Sequence, residues 1–292
     1  MKKPTISLIG AGRVGATLAL AAHRAGYPLQ AIFTRTPSRA ASLADRTGAS
    51  IVTTLGDAID LGEWVFVAVP DDAIAEIDAA GAGHWRSDMA VIHFSGAQPA
   101  DILVNARREG ALVAAFHPLQ SISDLESGLR NLPGTTFGIS GDAILKPQLI
   151  QLARDLQGYA LSIPDDAKVL YHAAAVFVSN FPVILYAQGV RILNQLGIPA
   201  KDAERALLPL IQGAVANLAE PGLPQALTGP LSRGDAGIIA SHRAHLQATF
   251  PDLDDLYRLI SQAGLDLVRD QGNLDEATLA RLQRLLSSET SE

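Results

Sequence analysis

One stretch near the start, TISLIGAGRVGATLALAAHRAG from Thr5, constrains the fold more than any other. Residues 5–9 are a short β-rich run that stops at Gly10. Residues 13–25 then place apolar groups at helical spacing up to Gly26, a residue suited to close a helix. A strand that turns at once into a helix needs Gly10 for the tight turn and Gly15 for close helix–strand packing. Gly12 leaves the backbone open to an approaching anion, which the free N–H groups and dipole of the helix would hold. Ala11, Arg13 and Val14 complete this phosphate turn. The same stretch imitates a secretory leader, two lysines followed by apolar residues, but Arg13 interrupts the apolar run and the glycine spacing favours the turn.

Strand and helix signals alternate from there. Strands are predicted over 29–34, 50–53, 64–69, 91–94, 112–116, 136–139 and 159–163, with helices over 38–47 and 143–157. The wholly apolar WVFVAV at 64–69 suits a parallel strand covered on both faces. This alternation predicts an α/β class with a doubly wound parallel sheet. After Ile163-Pro164-Asp165-Asp166 the strand signals vanish, and helices are predicted over 167–196, 200–218, 236–250, 253–271 and 275–286. The expected organisation is a nucleotide-type domain over 1–163 and an all-helical domain over 164–292, with a frayed tail from Ser287.

The net charge of −7 argues against non-specific nucleic-acid binding, and the absence of cysteine excludes disulfides and thiolate metal sites and favours a cytoplasmic setting. Residues 173–187, AAAVFVSNFPVILYA, are the most apolar later stretch. Ser179, Asn180 and Pro182 interrupt it, so the expectation is a buried helix and not a membrane span. The helices of the second half are too apolar all round for a lone surface layer, which predicts a homodimer packed through that domain.

Dinucleotide choice is written at the end of the second strand. An acidic residue there would favour NAD by bonding the ribose 2′-hydroxyl. This chain has Thr34-Arg35-Thr36 and then Ser38-Arg39, a guanidinium-and-hydroxyl set suited to the 2′-phosphate of NADP(H). Ligands of such sheets lie outside the carboxyl ends of the strands. Three of those ends carry polar chemistry. Val69-Pro70 would border the cofactor, and Asp71 or Asp72 would cap the next helix. Ser95 would bond the nicotinamide side or merely start a turn, and Gly96 would let backbone approach a flat ring. His117, held extended by Pro118, stays at the rim, where an imidazole can exchange a proton near neutrality. A satisfied structural histidine is the alternative. His242 and His245, three apart, have metal-like spacing but no evident third ligand, so no metal is expected.

Taken together, GAGRVG, TRT, VPDDAI, HFSGA, FHPLQSIS, YHAAAVFVSN and TGPLSRGD resemble bacterial Rossmann-like proteins described as oxidoreductases, with a helical C-terminal domain of unknown function 2520. The chain is more distantly similar to pyrroline-5-carboxylate reductases, ketopantoate reductases, prephenate dehydrogenases and 6-phosphogluconate or β-hydroxyacid dehydrogenases, which implies a 6-phosphogluconate-dehydrogenase-like arrangement. By resemblance to prephenate dehydrogenases, His117-Pro118 carries the catalytic histidine. The HFSGAQP stretch departs from the loop of β-hydroxyacid dehydrogenases, since His93 stands for its Asp and Gly96 for its Thr. Those enzymes pair a lysine with an asparagine four residues on at the start of their first long helix. Here Lys168 is followed by His172, still on one helix face, with Ser179 near that face and Asn180 further round. The glycine-rich loop before residue 236 is similar to a substrate-gripping loop of pyrroline-5-carboxylate reductases, which would give Arg233 an acidic group to bind and leave Asp235 to cap the helix.

The resulting expectation is an NADP(H)-dependent oxidoreductase acting on a small carbonyl, imine or hydroxy acid. His117, His172 and Lys168 would handle the proton, and Arg233, Ser95 and Asn180 the substrate. Two alternatives stand beside it: a non-catalytic NADP-binding sensor or partner-binding protein, and a prephenate-type decarboxylating dehydrogenase.

Overall fold

The computed structural model describes residues 2–287, so all but the first residue of the tail expected from Ser287 lies outside the described residues. The first half runs β1 (Ile6–Ile9), α1 (Arg13–Arg24), β2 (Leu29–Phe33), α2 (Pro37–Thr47), β3 (Ser50–Val52), α3 (Leu55–Asp60), β4 (Trp64–Val67) and α4 (Asp71–Ala80). It continues with β5 (Ala90–His93), α5 (Val104–Arg108), β6 (Leu112–Pro118), α6 (Leu125–Asn131), β7 (Thr136–Gly141), α7 (Lys146–Asp155) and β8 (Tyr159–Ser162). The eight strands form one sheet in the order β3-β2-β1-β4-β5-β6-β7-β8.

Side chains alternate across a strand, and here that alternation feeds two cores. Ile6, Leu8, Phe66, Ile92 and Phe116 join the apolar faces of α1, α2 and α7. Ile9, Val65, Val67, Val91 and Val113 join residues of α3, α4 and α5. Both faces are covered, as the run of apolar residues in β4 requires. Strands β1 to β6 pair in parallel. The β6–β7 pair is antiparallel, a departure from the expected parallel sheet. Its cause is the connection 119–135, which turns back at the same edge, Leu119 N–H donating to Thr136 O at 2.9 Å.

The long helix α8 (Lys168–Gln195) follows, continuous through Pro182. Strand signals end at residue 163, as read, but the two compact units, Met1–Asn180 and Phe181–Glu292, part further on, inside α8. The second unit continues with α9 (Ala200–Ala219), α10 (Ala236–Thr249), α11 (Pro251–Ala263), α12 (Leu265–Gln271) and α13 (Glu276–Leu286). Its core is small: Ala236, Ile239, Leu265, Leu282 and Leu286. The single helix expected over 253–271 breaks at Gly264, where a Cβ would stand 3.0 Å from Leu231.

The expected burial of residues 173–187 is overturned. Val178, Val183 and Ile184 are exposed, as are Leu208, Leu210 and Val215 on α9. The apolar groups are there as read, but among the described residues nothing covers these six. On length and composition alone, the stretch Asp165–Gln195 is long enough to cross a membrane and contains an 18-residue window of mean hydropathy 1.6, against the shorter apolar run expected.

Candidate active site

The turn after β1 distinguishes three glycines by what would meet a side chain. Gly10 has φ +97°, and a Cβ there would collide with Ala68 O. At Gly15 a Cβ would collide with Gly10 O and crowd Ala68. Both are therefore required by the fold itself. At Gly12 a Cβ would meet nothing within 4 Å. Gly12 also caps α1 without any side-chain hydrogen bond to the helix. Packing gives no reason for a glycine at 12, whereas an anion laid against that backbone does. The cradle of Gly10, Ala11, Gly12, Arg13, Val14 and Gly15 thus fits the pyrophosphate of a dinucleotide.

Beyond β2, Arg35 and Arg39 are exposed, and neither has an ion-pair partner among the described residues. Thr36 N–H donates to Thr34 Oγ1 at 3.3 Å, tightening the bend that presents Arg35. Val69 and Pro70 lie between β4 and α4, with Val69 Cγ1 beside Gly10. These positions border the cradle.

A second set of residues converges at the tips of β5 and β6. Ser95 Oγ donates to Asp71 Oδ2 at 2.7 Å and accepts from Ala97 N–H at 3.2 Å and Gln98 N–H at 2.9 Å. Ser95 is therefore a pin for its own turn, and its hydroxyl is already engaged. Asp71, expected to cap α4, makes no such cap; the capping position is Pro70, and Asp71 holds Ser95 instead. His93 is also structural: Ser95 N–H donates to its Nδ1 at 3.2 Å, and its Nε2 faces Pro99 O at 3.2 Å. Burial and the Lys168 charge hold His93 down at about 4, so it stays neutral.

Lys168, the first residue of α8, is 1% exposed and donates to Ser95 O at 2.8 Å. Burial lowers its pKa to about 8, against the pull of Asp165 and Asp71. One turn on, Tyr171 and His172 flank His117. The Tyr171 hydroxyl stands 2.9 Å from His117 Nδ1. The His117 and His172 rings are 5.7 Å apart at 85°. Gly96 fits into the angle between them, where a Cβ would collide with His172 Nδ1 and stand 2.9 Å from His117 Nε2. His172 Nδ1 is buried with no hydrogen-bond partner. Burial, then the Lys168 charge and the neighbouring histidines, pushes His117 down to about 3. His117 is a neutral imidazole at physiological pH, while Lys168 still carries its charge there.

A cavity of about 430 Å³ opens beside this cluster, lined by His117, Gln120, Ser121, His172, Ser179 and Asn180 among others. The structure thus brings together His117, His172, Lys168, Ser95, Gly96 and Asn180, all within the first unit. Arg233 belongs to the second unit, is well exposed, and donates through Nε to Asp235 Oδ2 at 2.9 Å. Asp235 occupies the capping position of α10 but bonds Arg233 in place of the helix, contrary to its expected role. His242 and His245 face Tyr257 and Ser241 O. Sequence reasoning missed Tyr171, whose only signal was adjacency to His172, and missed the Asp71–Ser95 link.

The fold and cradle define an α/β chain of the dinucleotide-binding class with a helical second half. Residues 2–118 match the Rossmann-like domain, and residues 135–263 match the Domain of unknown function (DUF2520). The two matches together span most of the chain, a Rossmann-like domain followed by DUF2520. Among solved structures the chain is similar to a Thermotoga maritima protein at 26% identity and a TM-score of 0.75, covering 92% of this chain and 100% of that one. It is also similar to a Bacteroides fragilis protein put forward as an NADP oxidoreductase, at 25% identity and 0.73, covering 90% and 98%. Pyrroline carboxylate reductase of Plasmodium falciparum, solved with NADP bound, shares the fold at 12% identity and 0.59, covering 98% and 100%. No curated protein sequence matches the chain.

Proposed function

We propose that this chain is an NADP(H)-dependent oxidoreductase acting on a small carbonyl, imine or hydroxy compound. The observation that carries the reading is the convergence of His117, Tyr171, His172 and Lys168 beside one cavity, in the same unit as the dinucleotide cradle. The relatives described as an NADP oxidoreductase and as a reductase with NADP bound support it.

Gly10 to Gly15 would hold the pyrophosphate, and Arg35 with Thr34, Thr36 and Arg39 the 2′-phosphate. When bound, the nicotinamide supplies or accepts the hydride. His117 meets the reacting atom of the substrate from the rim of β6. Lys168 keeps a positive charge under the Ser95–Gly96 turn and holds that backbone in place. His172 and Asn180 border the substrate.

Two measurements on purified protein test this. Replacing Arg35 with alanine should weaken NADPH binding about ten- to hundredfold while barely changing NADH, as expected for one lost charge-assisted contact of ~1.5–3 kcal/mol. Equal losses for both refute the cofactor assignment. In a screen of carbonyls, imines and hydroxy acids, His117→Gln should lower turnover by ~10²–10⁴-fold with NADPH affinity intact. Cofactor binding without turnover on any of these compounds would favour the sensor reading.

We also propose a homodimer through the bare apolar faces of α8 and α9.

A further inference from the structure

We infer that Tyr171 is a positioning residue that holds His117 as its Nε2–H tautomer, setting the site to take a substrate whose reacting atom accepts a hydrogen bond, a carbonyl oxygen or an imine nitrogen. The inference rests on the reading of His117 as the group that meets substrate.

The argument begins at the ring. A neutral imidazole carries one N–H donor and one bare nitrogen, and the bond made by one nitrogen decides which is which. His117 Nδ1 is 2.9 Å from the Tyr171 hydroxyl, with the rings nearly perpendicular at 86°. A phenol is a stronger acid than an imidazole N–H, and an imidazole nitrogen is a stronger base than a phenol oxygen. The hydroxyl therefore donates and Nδ1 accepts, which leaves the proton on Nε2. Burial supports this by raising the Tyr171 pKa to about 12, so the phenol keeps its proton.

The surroundings are built for this contact. Gly138 is the cross-strand partner of His117 on β7. A Cβ on Gly138 would collide with the Tyr171 hydroxyl, so the glycine makes the room the phenol occupies. On the far side of the ring, Nε2 faces Gly96. With Nδ1 taken, Nε2 is the nitrogen left for a ligand, and it arrives as a donor. A neutral donor polarises a carbonyl or imine about to receive hydride. In that tautomer Nε2 has no lone pair with which to draw a proton from a hydroxyl.

The test reads the tautomer directly and needs no substrate. Two-bond ¹H–¹⁵N spectra of the full-length protein, with the His117 signals assigned through His117→Gln, should show a bare, hydrogen-bonded Nδ1 and a protonated Nε2. In Tyr171→Phe the Nδ1 resonance should move toward that of a nitrogen without a donor, or an Nδ1–H fraction should emerge. A protonated Nδ1 in the native protein overturns the inference, and so does an Nδ1 resonance unmoved by the substitution. If the phenylalanine variant fails to fold, 3-fluorotyrosine at 171, a more acidic donor, replaces it. A shift of Nδ1 then supports the inference and no shift overturns it. Failure of the enzymatic reading is separate: it shows as undiminished turnover in His117→Gln, whatever the tautomer.

Discussion

Lys168→Met isolates the energetics of the cluster, because a buried cation carries a calculable burden. The ammonium is 1% exposed, and its pKa falls from 10.5 to about 8, chiefly through burial. At ~1.4 kcal/mol per tenfold change in the equilibrium, that displacement is about 3 kcal/mol. The folded pKa lies below the unfolded one. Between about pH 8 and 10.5 the unfolded chain therefore holds the proton and the folded chain has released it, so stability rises with pH across that window. Below about 8 both states are charged and the full burden falls on the folded protein. Methionine has no such dependence. Subtracting the variant's unfolding free energy from the native one should give a difference that grows by about 3 kcal/mol from pH 7.5 to 10.5. Urea unfolding monitored by tryptophan fluorescence suits the measurement, since both tryptophans, Trp64 and Trp85, lie in the sheet unit. Parallel pH curves for the two proteins would refute the reasoning, for then Lys168 would be as well solvated folded as unfolded.

Gly12→Ala should leave the melting temperature nearly unchanged, since nothing in the fold meets a Cβ there, while abolishing dinucleotide binding by calorimetry. Gly15→Ala should instead destabilise the fold by ~1–3 kcal/mol through overpacking, so similar thermal losses in both variants would count against the cradle. Light scattering at micromolar concentration should give twice the chain mass, and an aspartate at Val183 should return it to monomer; a native monomer removes the dimer proposal.

The glycine turn after β1 was legible because Gly10 and Gly15 obey backbone and packing constraints that a linear pattern displays. His117 at the rim was legible because Pro118 restricts its conformation, and it lies one residue before the end of β6. The direction of β7 was not, since an apolar run reads the same whichever way it pairs. The roles of Ser95, Asp71 and Asp235 were misread or left open for another reason. A short polar side chain can cap its own helix or reach a neighbouring turn, and only the tertiary distance decides. Tyr171 was silent because an aromatic at a helix start looks like core until the residue opposite is known. Residues 173–187 were correctly read as apolar and wrongly read as buried, since composition reports what a face seeks and not what lies against it.

The helix that carries Lys168, Tyr171 and His172 in its opening turns has 28 residues, a rod about 40 Å long. A tilt of about 5° pivoting at Lys168 would swing the far end by about 4 Å yet displace His172 by only about 0.5 Å, given 1.5 Å of rise per residue. His172 sits close to the fulcrum, so a change of direction that is large at the far end barely alters the aim of its imidazole.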